Sequence, residues 1–296
     1  MKYIIDKSNE KTTIKEFLKR NRISNNLLKR LKRIPDGILV NSKHENVTYV
    51  LKENDVLVLN ADDFSNDENE YLEPSNIPVE IIYEDENLTV VNKPSNMPTH
   101  ESLNNRGNSL ANALRYRYLE KPYVFRATNR LDKDTSGVVI TANSRFYASL
   151  LSAKIKSGKV KKEYVAVVKG RLEGEGEINA PIDRIEKSII KRVVRDDGES
   201  AITKYRVVAT SNEASVVLLT PITGRTHQLR VHLAHIGHPI IGDRLYGEES
   251  QLIERQALHC LKMEVDEIGK FYAPLAQDIK CLIRRYFDNE EFIPKD

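Results

Sequence analysis

The segment Thr13-Ile-Lys-Glu16 opens the first regular pattern of apolar and polar positions in the chain. A hydroxyl residue followed three places later by an acid is a capping box, and Ile14, Phe17 and Leu18 then recur at helical spacing. Ser24 can cap a second helix, in which Leu27, Leu28 and Leu31 make an apolar stripe while Lys29, Arg30, Lys32 and Arg33 point away from it. Asp36-Gly37 turns the chain into three short β-type runs, Ile38–Val40, Val47–Val50 and Val56–Leu59. Two helices and a small sheet are therefore predicted within residues 1–60. Residues 61–78, ADDFSNDENEYLEPSNIP, lack such periodicity, carry two prolines and read as an acidic linker. From 79 to 296 strands and helices alternate. Val79–Tyr83 and Leu88–Asn92 read as a hairpin around Glu84–Asn87, Ser109–Leu119 and Ser144–Lys156 as helices, and Tyr164–Val168, Thr203–Ala209 and Ser215–Thr220 as strands. A further helix is predicted from about residue 226, ended by Gly237 and Pro239.

At 296 residues, 40% of them hydrophobic, the chain can bury one large core and one small one. Cys260 and Cys281 are the only cysteines and form no CxxC pair, so neither a disulfide framework nor a structural zinc is expected, and a reducing cytosol is the simplest home. No apolar run approaches the roughly 20 residues that span a bilayer, and the start lacks a signal-like core, so neither membrane insertion nor secretion is expected. The net charge of +3 is modest, but it is unevenly spread. Residues 15–33 carry eight Lys or Arg against the single acid Glu16, whereas residues 61–87 carry ten Asp or Glu and no base. The basic stretch reads either as a solvated helical face or as a footprint for phosphates.

Two segments carry candidate chemistry: NRLDKDTSG, residues 129–137, and PITGRTHQLRVHLAHIGHPIIGDRLYG, residues 221–247. Alone, Asp132 in a strand-loop segment is a turn former or a surface charge. In the second segment Leu229, Leu233 and Ile236 share one side of the predicted helix, while His227 and Arg230 fall nearly opposite, facing a group that Asp132 could supply. His227, His232, His235 and His238 scatter around this helix without an HExxH or a suitably spaced carboxylate, so no metal site is expected. No GxGxxG or Walker sequence opens a helix, and no nucleotide cofactor is expected.

Residues 12–60, ending in GILVNSKHENVTYVLKENDVLVL, resemble the RNA-binding domain named after ribosomal protein S-four. Over about residues 79–275, IIYEDENLTVVNKPSNMPTH, RLDKDTSGVVITA, KKEYVAVVKG, GRTHQLRVHLAHIGHPIIGD and QALHC occur in the order typical of RluA-type RNA pseudouridine synthases, which the chain resembles. The resemblance implies an α+β fold: a catalytic domain on a bent, mixed, largely antiparallel sheet with flanking helices, preceded by a small α/β RNA-binding module. It implies isomerisation of uridine to pseudouridine in structured RNA, ribosomal RNA before transfer RNA, by a cytosolic monomer that needs no metal or organic cofactor. Asp132 matches the family's catalytic aspartate, Arg230 the basic partner that aims it, and Tyr164 the active-site tyrosine. Arg130 matches the arginine that fills the space left by a flipped base. Thr135, Arg225, His227 and Leu229 fall at substrate-contacting positions, and Lys29, Arg30, Lys32 and Arg33 would meet RNA in the first module. The family usually has His before Arg-Leu-Asp, where this chain has Asn129, which can hydrogen-bond but cannot carry charge.

Two other classes fit parts of the pattern. A non-catalytic RNA-binding or ribosome-assembly factor would keep the fold and lose Asp132 or Tyr164, and neither is lost. A retaining glycoside hydrolase needs a second acid about 5 Å from the first. Asp134, two residues along an extended segment, would point to the other face.

Overall fold

The computed structural model describes residues 1–21, 23–61, 72–102, 106–121, 123–185, 190–289 and 291–294. The first part combines β1 (Lys2–Ile4), α1 (Ile14–Arg20), α2 (Asn25–Leu31), β2 (Ile38–Val40), β3 (Lys43–His44) and β4 (Val56–Leu59). These strands pair in the order β1-β4-β2-β3, and Ile14, Phe17, Leu18, Leu27, Leu28 and Leu31 of the helices share a core with Ile38, Val40, Leu57 and Leu59. Both helices start on the expected caps, Thr13 reciprocally with Glu16, and Ser24 accepting from the Leu27 N–H at 3.2 Å. The Val47–Val50 run is not a strand. The carbonyls of Val47 and Tyr49 accept the N–H groups of Lys15 and Ile14, which the first turn of α1 leaves without helical partners. β1, which the periodicity does not announce, pairs with β4 instead.

Of the expected linker, residues 62–71 lie outside the described residues. Residues 72–78 run along the larger unit: Asn112 donates to the Glu73 carbonyl at 2.7 Å, and Leu72 and Ile77 pack on its core.

The larger unit follows with β5 (Glu80–Glu84), β6 (Leu88–Lys93), α3 (Leu110–Arg117), β7 (Ser136–Ala142), α4 (Arg145–Lys156), β8 (Val160–Lys169), β9 (Glu175–Asn179), β10 (Ile182–Arg184), β11 (Arg192–Val194), β12 (Ile202–Thr210), β13 (Ala214–Pro221), α5 (Gln228–His235), β14 (Leu258–Val265), β15 (Gly269–Tyr272) and α6 (Gln277–Phe287). Among the described residues nine strands form one sheet, ordered β5-β6-β7-β14-β8-β13-β12-β9 with β15 beside β14. Every pairing in it is antiparallel except β7 with β14. The central strand β7, SGVVITA, is buried along its whole length, as expected of a strand covered on both faces. β10 and β11 form a separate hairpin, seated through Ile182 and Val194 on Val231 of α5. The two units touch: Phe146 of α4 is buried in the first core, and the Ser149 hydroxyl accepts the Ser24 N–H at 2.8 Å.

Candidate active site

The turn Leu131–Thr135 enters β7, and the register of the sheet decides what it meets. Gly137 lies beside Cys260 on β14, Cys260 beside Tyr164 on β8, and Tyr164 beside Leu219 on β13, one row across four strands. Gly137 has φ +114°, and a Cβ there would lie 2.2 Å from the Cys260 carbonyl oxygen. A glycine is therefore required where NRLDKDTSG joins its strand, and it lets the turn approach β14 closely. A second loop clamps the turn from the other side. The Thr99 hydroxyl donates to the Leu131 carbonyl and accepts from the Leu131 N–H, both at 3.1 Å. Met97 N–H and the Lys93 ammonium both donate to the Lys133 carbonyl. Lys93 is fully buried, and desolvation pushes its amine down to about 7 despite the pull of Asp134.

Arg230, in the first turn of α5, reaches this turn. One guanidinium nitrogen donates to Asp132 Oδ2 at 3.1 Å, while the other two donate to Asp243 at 2.7 and 2.8 Å. Asp132 keeps 29% of its side chain exposed, whereas Asp243 has none, so of the two carboxylates only Asp132 faces an incoming molecule. Burial opposes the charge on Arg230, but the bonds and attraction of Asp243 and then of Asp132 outweigh it and raise its pKa above the ordinary arginine range. His227 Nε2 lies 3.9 Å from Asp132 Oδ2, and His227 itself adopts the left-handed conformation, φ +56°. Burial lowers the His227 pKa, and Asp132 only partly offsets this. Tyr164 is buried on the row below. Desolvation, with Cys260 and Asp132 adding to it, raises its phenol well above the ordinary tyrosine value. A cavity of about 770 Å³ opens beside the pair, walled in part by Lys133, Asp134, Arg230, Arg244, Leu245 and Gln256.

The structure thus brings together Asp132, Arg230 and His227, with Tyr164 buried on β8 two strands from β7. Arg130 is exposed at the head of the turn. Leu229 is buried in the large core. Thr135 is turned inward: its N–H donates to the Asp132 carbonyl, and its hydroxyl accepts from Gln256 at 3.2 Å, so it shapes the turn. Arg225 is tied to Glu199 and the Ser200 carbonyl. Lys29, Lys32 and Arg33 are exposed and Arg30 half-buried. Asn129 donates to the Val138 carbonyl and accepts from the Ile140 N–H, splicing the segment to β7. The four histidines diverge: His232 bonds Thr203 and the Ala180 carbonyl, His238 the Lys169 carbonyl and His227 Tyr246, while His235 is exposed. Among the described residues no group of three His, Cys, Asp or Glu is placed to hold a metal, and no helix is long and apolar enough to cross a membrane.

Sequence reasoning missed Asp243, Tyr246, Lys93 and Thr99. Asp243 stands thirteen residues beyond Arg230 in a loop, and no periodicity links such positions. It also corrects the two-sided reading of the helix. α5 begins at Gln228 and is buried on nearly every side from Gln228 to Leu233, because the 242–247 loop and the β10–β11 hairpin cover the face that the pattern leaves polar.

The family model described as RNA pseudouridylate synthase matches residues 87–235, which include the turn, Tyr164 and Arg230. Among similar proteins, "Uncharacterized RNA pseudouridine synthase YjbO" of Bacillus subtilis is 39% identical, over 92% of this chain and 98% of its own length. "Ribosomal large subunit pseudouridine synthase D" of Borreliella burgdorferi is 36% identical, over 82% and 78%. The solved structure of human RNA Pseudouridylate Synthase Domain Containing 1 aligns with a TM-score of 0.57 at 28% identity, covering 68% of this chain and 84% of that one. Matched in sequence over nearly its whole length, this protein belongs to the RNA pseudouridine synthases, enzymes that isomerise uridine within RNA.

Proposed function

We propose that this enzyme converts a specific uridine in structured ribosomal RNA to pseudouridine, with Asp132 as the reacting carboxylate and the target base flipped out of its helix. The observation that carries the reading is the Asp132–Arg230 pair at 3.1 Å: a part-exposed carboxylate aimed by a guanidinium that a second, sealed aspartate holds in place. Relatives named as large-subunit ribosomal synthases support the choice of ribosomal RNA.

The reaction breaks the bond from the sugar carbon to the ring nitrogen, turns the uracil and joins the same sugar carbon to a ring carbon. That carbon then loses its proton, the ring nitrogen released from the sugar gains one, and the formula is unchanged overall. An anion beside the sugar can attack it covalently or stabilise the positive charge that develops there. Stacked bases are out of reach of such a group, so the uridine must leave the helix. Arg130, exposed at the head of the turn, is placed to occupy the gap. Tyr164 keeps its proton at neutral pH, so it offers a ring for stacking and an O–H donor. Its hydroxyl is the candidate to help remove the ring-carbon proton, passing on its own as it does so. Residues 1–60 serve as an RNA-binding module through Lys29, Arg30, Lys32 and Arg33.

The test is Asp132→Asn, which keeps size and removes the anion. No pseudouridine should form under single-turnover conditions, while RNA affinity stays within about threefold of the parent, because an interaction made only in the transition state has been removed. Conversion at the parent rate would rule out the mechanism. Carbodiimide-stop sequencing of total RNA from cells with and without the gene identifies the site; a missing site in transfer RNA alone would overturn the ribosomal assignment.

A further inference from the structure

Tyr246 stands where three parts of the molecule meet, and the chemistry above does not use it. Its hydroxyl accepts the Arg192 N–H of β11 at 2.8 Å and lies 2.9 Å from Nδ1 of His227. The Arg230 guanidinium carbon lies 5.1 Å from the centre of its ring, a cation–π contact. The ring also packs on the Ile182, Ala201 and Val231 cluster that seats the hairpin on α5. One side chain thus touches the hairpin, the histidine 3.9 Å from Asp132 and the arginine 3.1 Å from it. His227 takes up the left-handed backbone, and its ring is held by the bond to Tyr246.

The hairpin has the character of an RNA-contacting arm. Among its described residues Arg184, Lys191 and Arg192 are basic, and Arg195 beside them is paired with Asp183. Ile190 and Val193 are exposed, at 63% and 37%. Cations beside exposed aliphatic side chains suit phosphates and base faces together.

We propose that Tyr246 is a positioning residue that links the β10–β11 hairpin to the Asp132–Arg230 pair, so that RNA seated on the hairpin fixes the aim of the carboxylate. The link runs from Arg192 to the phenol oxygen, then through that oxygen to His227 and through the ring to Arg230. It rests on the reading of Asp132 as the reacting group.

The experiment uses the full chain and an RNA that the parent converts, with single-turnover rate and RNA affinity measured separately. Tyr246→Phe keeps the ring and loses both hydroxyl contacts. It should slow conversion about tenfold with affinity changed less than about twofold, a split that general loosening of the fold would not give. The same substitution is then made in a hairpin variant, Arg184→Ala with Lys191→Ala. There its penalty should shrink to about twofold, because linked sites are non-additive. Equal penalties in both backgrounds, a parent-like rate for Tyr246→Phe, or a much lower melting point that accounts for the slowing would each overturn the link. Asp132→Asn runs beside them. If it converts at the parent rate, the carboxylate reading has failed, and that outcome is distinct from a failure of the Tyr246 link alone.

Discussion

Asp132 and Asp243 share one guanidinium, and their surroundings separate their work. Asp243 is sealed, and besides its two bonds from Arg230 it accepts the N–H groups of Leu245 and Tyr246. Removing its charge leaves Arg230 buried with only a part-exposed partner, and breaking a buried pair typically costs about 3 kcal/mol or more. Asp243→Asn should therefore lower the urea midpoint markedly and also slow conversion, whereas Asp134→Asn should stay within about threefold of the parent in rate and within about 0.5 kcal/mol in stability. Parent-like urea stability of Asp243→Asn would contradict the buried-pair account. Asn129 is instructive at the same scale. Its amide must donate to one strand carbonyl and accept from one strand N–H, which it does at any pH.

At the scale of elements, local signals are well kept. Thr13, Ser24, Ser109 and Ser144 each accept from the first turn of the helix that follows. The eight-base stretch at 15–33 covers α1 and α2, on a unit with its own sheet and core. Deleting residues 1–62 should weaken RNA binding and flatten its dependence on salt by about 1 or more in log–log slope, since each duplex phosphate neutralised contributes about 0.9. The deletion uncovers Phe146, so Phe146→Ser belongs in the truncated protein. Equal slopes with and without the unit would refute the footprint.

For the whole molecule the buried histidines add to the response to acid. His259 is fully buried between the Ser136 hydroxyl and the Ala273 carbonyl, and desolvation pushes its imidazole down to about 4. The unfolded chain takes up that proton near pH 6.5. Between the two values the unfolded state binds more protons, so stability falls as pH drops from about 6.5 toward 4, by about 2 kcal/mol from this group at pH 5. Burial lowers His232 in the same direction. The melting midpoint should therefore fall by several degrees from pH 7 to pH 5, and by less in His259→Gln; equal falls would show that His259 does not carry the effect. By itself the sequence determined the capped helices, seven of the fifteen described strands, the candidate carboxylate and its arginine, because caps, periods of 3.6 and 2, and ordered motif blocks are local properties. Tertiary structure alone decided that Asp243 and Tyr246 would hold the arginine against Asp132, which lies 98 residues before it in the chain. It also decided that Val47–Val50 would serve a helix end and that α5 would be buried almost all round. Those outcomes depend on sheet register and on loops folding back over a face, and neither leaves a period in the chain.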